Sequence, residues 1–150
     1  MNFQTMAKQR KFILIAALVG VVSIFLPWVS VGYGGFGITV NGFHSWGVLC
    51  FLSFVGAGIV AYMGDQTVNL AKTMWFAALV CGGLAVLSTL IFLSEAGGAS
   101  GFGLYIGLIA AIAVAGSAWM FKNPGDDIKS GFDSMKNSIN EQTKSNNPPL

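Results

Sequence analysis

Four long apolar runs dominate the chain, and the charged side chains fall in the segments before, between and after them. Each run is about twenty residues, which at 1.5 Å rise per residue matches a hydrocarbon core of about 30 Å. The runs predict membrane-crossing helices over 12–31, 46–63, 73–93 and 102–121. Between the first two lies a glycine-rich segment, Gly32 to Ser45. In it Asn41-Gly42, preceded by the β-prone Ile38-Thr39-Val40 and followed by Phe43, predicts a two-residue hairpin turn and hence a small cap over the outer end of the bundle. After the fourth run the chain breaks at Lys122-Asn123-Pro124-Gly125. Beyond it Ile128, Phe132, Met135 and Ile139 recur at steps of four, three and four, predicting an amphipathic helix over 126–141 with Asp126 and Asp127 at its favourable N-terminal end. Ser145 to Leu150 are expected to be disordered. The predicted fold class is an all-α membrane protein: one four-helix transmembrane domain at 12–121 with a short outer β-hairpin. A cytoplasmic N-terminus at 1–11 and a cytoplasmic tail at 122–150 flank it.

Charge orients this arrangement. All eight Lys and Arg residues, Lys8, Arg10, Lys11, Lys72, Lys122, Lys129, Lys136 and Lys144, lie in the N-terminal segment, the second gap and the tail. Cationic segments resist transfer across a bilayer during insertion. Both termini are therefore expected in the cytoplasm, in a bacterial inner membrane. Composition agrees, with 54% apolar and 9% charged residues where a soluble domain carries roughly a quarter charged. The positive start followed by an apolar run resembles a signal peptide, but the run is too long and no small-x-small cleavage pattern follows, so it reads as an uncleaved anchor. Pro27 is expected to kink the outer end of the first helix. Trp28, Tyr33, Trp46 and Tyr105 outside, and Tyr62, Trp75 and Trp119 inside, are expected to mark the water boundaries.

Candidate chemistry is sparse. No Asp, Glu, Lys, Arg or His lies within the four predicted spans, which argues against an ion-coupled transporter, a proton pump or a voltage sensor. No inverted repeat with broken midplane segments points to a transporter site. The outer surface offers only His44 and Glu95, too few for acid, base or nucleophile chemistry, so no catalytic residue, cofactor site or metal site is assigned. His44 and Glu95 suit an ion pair or solvent exposure better than half of a metal site. Cys50 and Cys81 differ in depth by about 12 Å, beyond the ~4–7 Å reach of a disulfide, and read as packing residues.

Small residues at four-residue spacing are the main feature of the spans. The fourth helix carries Gly103, Gly107, Ala111 and Ala115, a stripe that lets backbones approach closely in lipid. Packing within the bundle and an interface with another subunit both fit it, and the fourth helix is the best candidate for a surplus face. The tail stripe, Ile128, Phe132, Met135 and Ile139, suits either the inner leaflet or a groove on a partner. The outer cap is assigned to Asn41, Gly42, His44 and Trp46.

The chain resembles small bacterial four-helix membrane proteins of unassigned role. In these a Leu-Pro-Trp motif, here Leu26-Pro27-Trp28, ends the first helix and an Asn-Gly-x-x-x-Trp-Gly segment, here Asn41 to Gly47, opens the second. It is also similar to claudins in topology and in a first outer loop bounded by tryptophans, with Trp46-Gly47-Val48-Leu49-Cys50 like their Trp-Cys signature. The loop here is much shorter and lacks a second cysteine, so the claudin sheet and paracellular role do not carry over. The expected function is non-enzymatic: an accessory or scaffolding subunit of a membrane complex, or a homo-oligomer, acting through helix packing. An oligomeric pore without intramembrane charges is the alternative. The expected partners are the lipid bilayer and another membrane protein or copy, with no nucleic acid and no soluble substrate.

Overall fold

The computed structural model describes residues 3–147. Among them the chain is mostly helical, with five α-helices and a two-stranded antiparallel hairpin. In order these are α1 (Lys8–Phe25), β1 (Pro27–Tyr33), β2 (Phe36–Asn41), α2 (Trp46–Tyr62), α3 (Lys72–Ala96), α4 (Phe102–Met120) and α5 (Ile128–Asn146), with a 3-10 turn at Gly97–Ala99. The first four helices form a ring in which α1 packs on α2 and closes on α4. Two helices are long and apolar enough to cross a membrane: α3 continued through the 3-10 turn, and α4. The sequence reading expected four. α2 is 17 residues long, and α1 opens with Lys8, Arg10 and Lys11.

The first predicted span ends earlier than expected. A residue before proline is pushed out of the helical region, and Leu26 is extended at ψ 161°, so Pro27 stops α1 instead of kinking it and 27–31 belong to β1. The hairpin turn also moves. Gly34 and Gly35, at φ +56° and +88°, supply the two positive angles a tight turn needs and bring Tyr33 opposite Phe36. The expected turn dipeptide Asn41-Gly42 instead rejoins the bundle: the Gly42 N–H donates to the Ile24 carbonyl at 2.8 Å. A Cβ on Gly42 would come within 2.7 Å of the Trp28 ring, so this glycine is needed for contact.

The tail helix starts two residues later and runs further than expected. Asp127 is its N-cap, accepting from the Ser130 N–H at 2.6 Å while the Ser130 hydroxyl accepts from the Asp127 N–H. That reciprocal box satisfies two orphan donors. Hydrogen bonding from Ser130 to the carboxyl, from its backbone N–H first and its side chain second, holds Asp127 below the usual carboxylate range. Ser145 and Asn146, expected to be disordered, are helical. Pro148, Pro149 and Leu150 lie outside the described residues.

Small residues bring the ring together. A Cβ on Gly20 would meet the Phe54 ring at 2.4 Å, and one on Gly82 the Ala115 backbone at 2.8 Å. The α4 stripe is consumed in the same way. Gly103 packs on Leu26 and Pro27, Gly107 on Ser23 and Trp28, and Ala115 on Gly82, while Ala111 is fully buried. Of the two readings open for this stripe, packing within the chain's own bundle is the one these contacts make. Two of the expected boundary aromatics are corrected, since Trp28 and Trp75 are fully buried. Each donates its indole N–H to a backbone carbonyl at 2.7 Å, Trp28 to Ser23 and Trp75 to Ala118. They are posts at opposite ends of the ring.

Candidate functional site

At the end of the ring where α1 begins, two neighbouring side chains of α1 hold the other helices. Arg10, only 2% exposed, donates from Nε to the Val68 carbonyl at 2.7 Å and from Nη1 to the carbonyls of Ala61 and Met63. The last carbonyls of a helix lack intrahelical donors and carry partial negative charge; Arg10 supplies both donor and cation to the end of α2. Gln9 donates to the Ala118 carbonyl of α4 and accepts from the Leu70 N–H, both at 3.0 Å. Asn69 and Asn123 complete the closure, Asn69 donating to the Phe121 carbonyl and Asn123 to that of Leu70. Arg10, read from sequence as one more topology-setting cation, is thus a buried clamp.

The middle of the ring is closed by paired hydroxyls and packed apolar side chains. The hydroxyls of Ser23, Ser53, Ser88 and Thr89 donate to carbonyls three or four residues back on their own helix. Trp28, Phe54, Trp75, Leu104 and Val114 fill the interior, each at most 1% exposed. No group of three or more His, Cys, Asp or Glu side chains placed to hold a metal occurs among the described residues. Cys50 and Cys81 are both free, as their depths predicted.

At the opposite end, where α1 stops, the hairpin emerges from this closed structure. Its base is tied down: the Gly101 N–H donates to the Trp28 carbonyl at 2.7 Å, and Val29 bridges to Ser100. The two motifs of the first loop meet here, Trp28 covering Gly42, and a Cβ on Gly47 would strike the Gly42 carbonyl. Beyond Val29 the strands leave the bundle. Directly opposed residues share a face of an antiparallel pair, so Val31↔Ile38 and Tyr33↔Phe36 lie on one face and Ser30↔Thr39 and Gly32↔Gly37 on the other. The first face is wholly apolar and bare: Val31 is 50% exposed, Tyr33 89%, Phe36 86% and Ile38 71%. At about 150–250 Å² per fully accessible aromatic side chain, the two rings alone expose roughly 350 Å², within the range at which an apolar patch marks an interaction site.

The predicted site residues are distributed as follows. Asn41, Gly42 and His44 sit at the foot of the hairpin, where Asn41 and His44 line a groove of about 480 Å³ with Phe25, Pro27, Thr39 and Val40. The Asn41 side chain accepts from the Phe43 N–H. Trp46 donates its indole N–H to Glu95 at 3.2 Å, and of the two expectations for His44 and Glu95, an ion pair or solvent exposure, His44 shows exposure. Of the tail stripe, Ile128, Phe132 and Ile139 are more than half exposed. Sequence reasoning named Tyr33 only as a boundary aromatic and Ile38 only as β-prone and did not join them with Val31 and Phe36 into one face, although the two-residue alternation from Val29 to Tyr33 and from Phe36 to Val40 carries it. No protein family, curated protein or solved structure matches the chain.

Proposed function

We propose that this chain is a non-enzymatic, four-span protein of a bacterial cytoplasmic membrane, with both termini inside. It acts as a scaffold that assembles with further copies of itself through the outer hairpin. The four-span reading is supported by the exterior of the ring: Leu18 and Val22 on α1, Leu52 on α2, Leu87 on α3 and Ile109 on α4 are all 58–68% exposed. An apolar exterior on every helix around closed backbone and hydroxyl groups suits lipid as the solvent. α2 is about 25 Å long at 1.5 Å per residue, which the bilayer accommodates by local thinning.

One observation carries the assembly reading: the α4 stripe of Gly103, Gly107, Ala111 and Ala115 packs within the bundle, whereas beyond Val29 the hairpin leaves an apolar face and its strand edges bare. Soluble edges are protected by charge, proline or bulges; the proline and the bulge of this hairpin lie at its base, between Pro27 and Val29, and from Val29 to Phe43 the chain has no charged residue and no proline. Without charge there is nothing to steer a differently charged partner, and an apolar face is complementary to itself. A pore would have to form between copies, since the interior of one ring is filled. The test is the particle mass of the pure protein in lipid discs. A multiple of the chain mass that falls to one chain in Phe36→Asp supports the assembly, and a wild-type monomer refutes it.

A further inference from the structure

α5 leaves the bundle with one side docked and the next side bare. Gly131 is buried on α3, where a Cβ would come within 2.9 Å of Phe76, and the Phe132 ring meets that of Phe76 edge-on at 6.4 Å. At 3.6 residues per turn the stripe of Ile128, Phe132, Met135 and Ile139 spans about 60°, its centre about 70° round from Gly131. Ile128, Phe132 and Ile139 remain 56–57% exposed. On the side away from α3, Lys129 and Lys136 project about 70–90° from the stripe centre, at its edge.

We infer that α5 lies in the surface of the membrane its own bundle crosses, with the stripe among the acyl-chain ends and Lys129 and Lys136 against anionic headgroups. This rests on the four-span reading above. Depth is the first argument. Trp119, half-exposed and covered by the Lys122 ammonium at 4.1 Å, and the exposed Tyr62 mark the inner headgroup level, as such side chains do. The chain turns at Asn123 to Gly125, where the Asp126 N–H donates back to the Asn123 carbonyl at 3.1 Å. Three residues after Gly125 α5 begins, held to Phe76 in the first turns of α3. A helix anchored at that height places its free side at the lipid boundary. Chemistry is the second argument: an uncharged stripe with lysines along its edge is the arrangement that buries apolar area while the long stems carry ammonium groups to the headgroups.

The experiment attaches an environment-sensitive fluorophore to Ile139→Cys on the stripe or Asn137→Cys on the opposite face. The full chain is reconstituted in vesicles of phosphatidylcholine and phosphatidylglycerol containing nitroxide-bearing lipid. Both sites are exposed, so neither label disturbs packing, and the wild-type chain gives the background from Cys50 and Cys81. Quenching several-fold stronger at 139 than at 137 is expected. Equal, weak quenching at both positions overturns the inference. Leu87→Cys, exposed midway along α3, separates the two readings. Quenching there without quenching at 139 overturns only the tail inference, and no quenching at 87 overturns the four-span reading and the inference with it.

Discussion

Replacing Arg10 by Met keeps an unbranched apolar stem and removes every donor that Arg10 itself brings to the clamp. The Ala61 carbonyl is buried and those of Met63 and Val68 are partly buried. A buried carbonyl left without a partner costs about 1–3 kcal/mol, and each partly buried one about 0.5–1.5 kcal/mol because water replaces some of the bond. The expected loss is thus about 2–6 kcal/mol, a large share of the ~5–15 kcal/mol that holds a typical domain together. The assay is reversible unfolding in mixed micelles titrated with a denaturing detergent, read by tryptophan fluorescence. Lys8→Met is the control, since Lys8 is exposed and should shift stability by no more than about 0.5 kcal/mol. Arg10→Lys keeps the charge but loses the planar fork that reaches several carbonyls, and should fall between wild type and Arg10→Met. Equal, small losses in Arg10→Met and Lys8→Met would refute the clamp and return Arg10 to the role of an ordinary cytoplasmic cation.

Three further outcomes follow from the same geometry. Gly82→Val pushes into the Ala115 backbone and should cost about 1–3 kcal/mol in that titration, whereas Gly83→Ala, which meets nothing within 4 Å, should be neutral or stabilise by up to about 1 kcal/mol. Trp28→Phe deletes the 2.7 Å bond to the Ser23 carbonyl and should cost about 1–3 kcal/mol, with hydrogen exchange quickening at the base of the hairpin. Because Asp127 is held below its ordinary range, its stabilisation of α5 is complete above the unfolded value of about 3.9. It is lost as pH falls through the folded value. Exchange of the first α5 amides should therefore rise in acid beyond the intrinsic rate change, and Asp127→Asn, which keeps a capping oxygen, should flatten that rise.

Helix positions were legible because length and apolarity are local properties: α2, α3 and α4 begin and end within three residues of the apolar runs. The end of α1 was not, since Pro27 sits inside an uninterrupted apolar stretch and only the pairing of 27–33 with 36–41 shows that the chain has changed its period. The hairpin turn was misplaced because the segment holds two glycine dipeptides with turn chemistry. Asn41-Gly42 has the stronger local signal, but the close approach of Trp28 claims Gly42, and Gly34-Gly35 turns the chain. Arg10 was illegible as a clamp because its partners are backbone carbonyls, which leave no mark in a sequence. The hairpin face was legible in principle and missed, its alternation hidden beneath the glycine content of the loop.

The Gln9 side chain reaches a carbonyl 109 residues further along the chain. During synthesis Gln9 therefore cannot make that bond until α4 has been made. A chain cut short before Ala118 keeps that side-chain amide without its α4 partner, and such a fragment is open to proteolysis. The inner clamp thus distinguishes a finished molecule from an unfinished one.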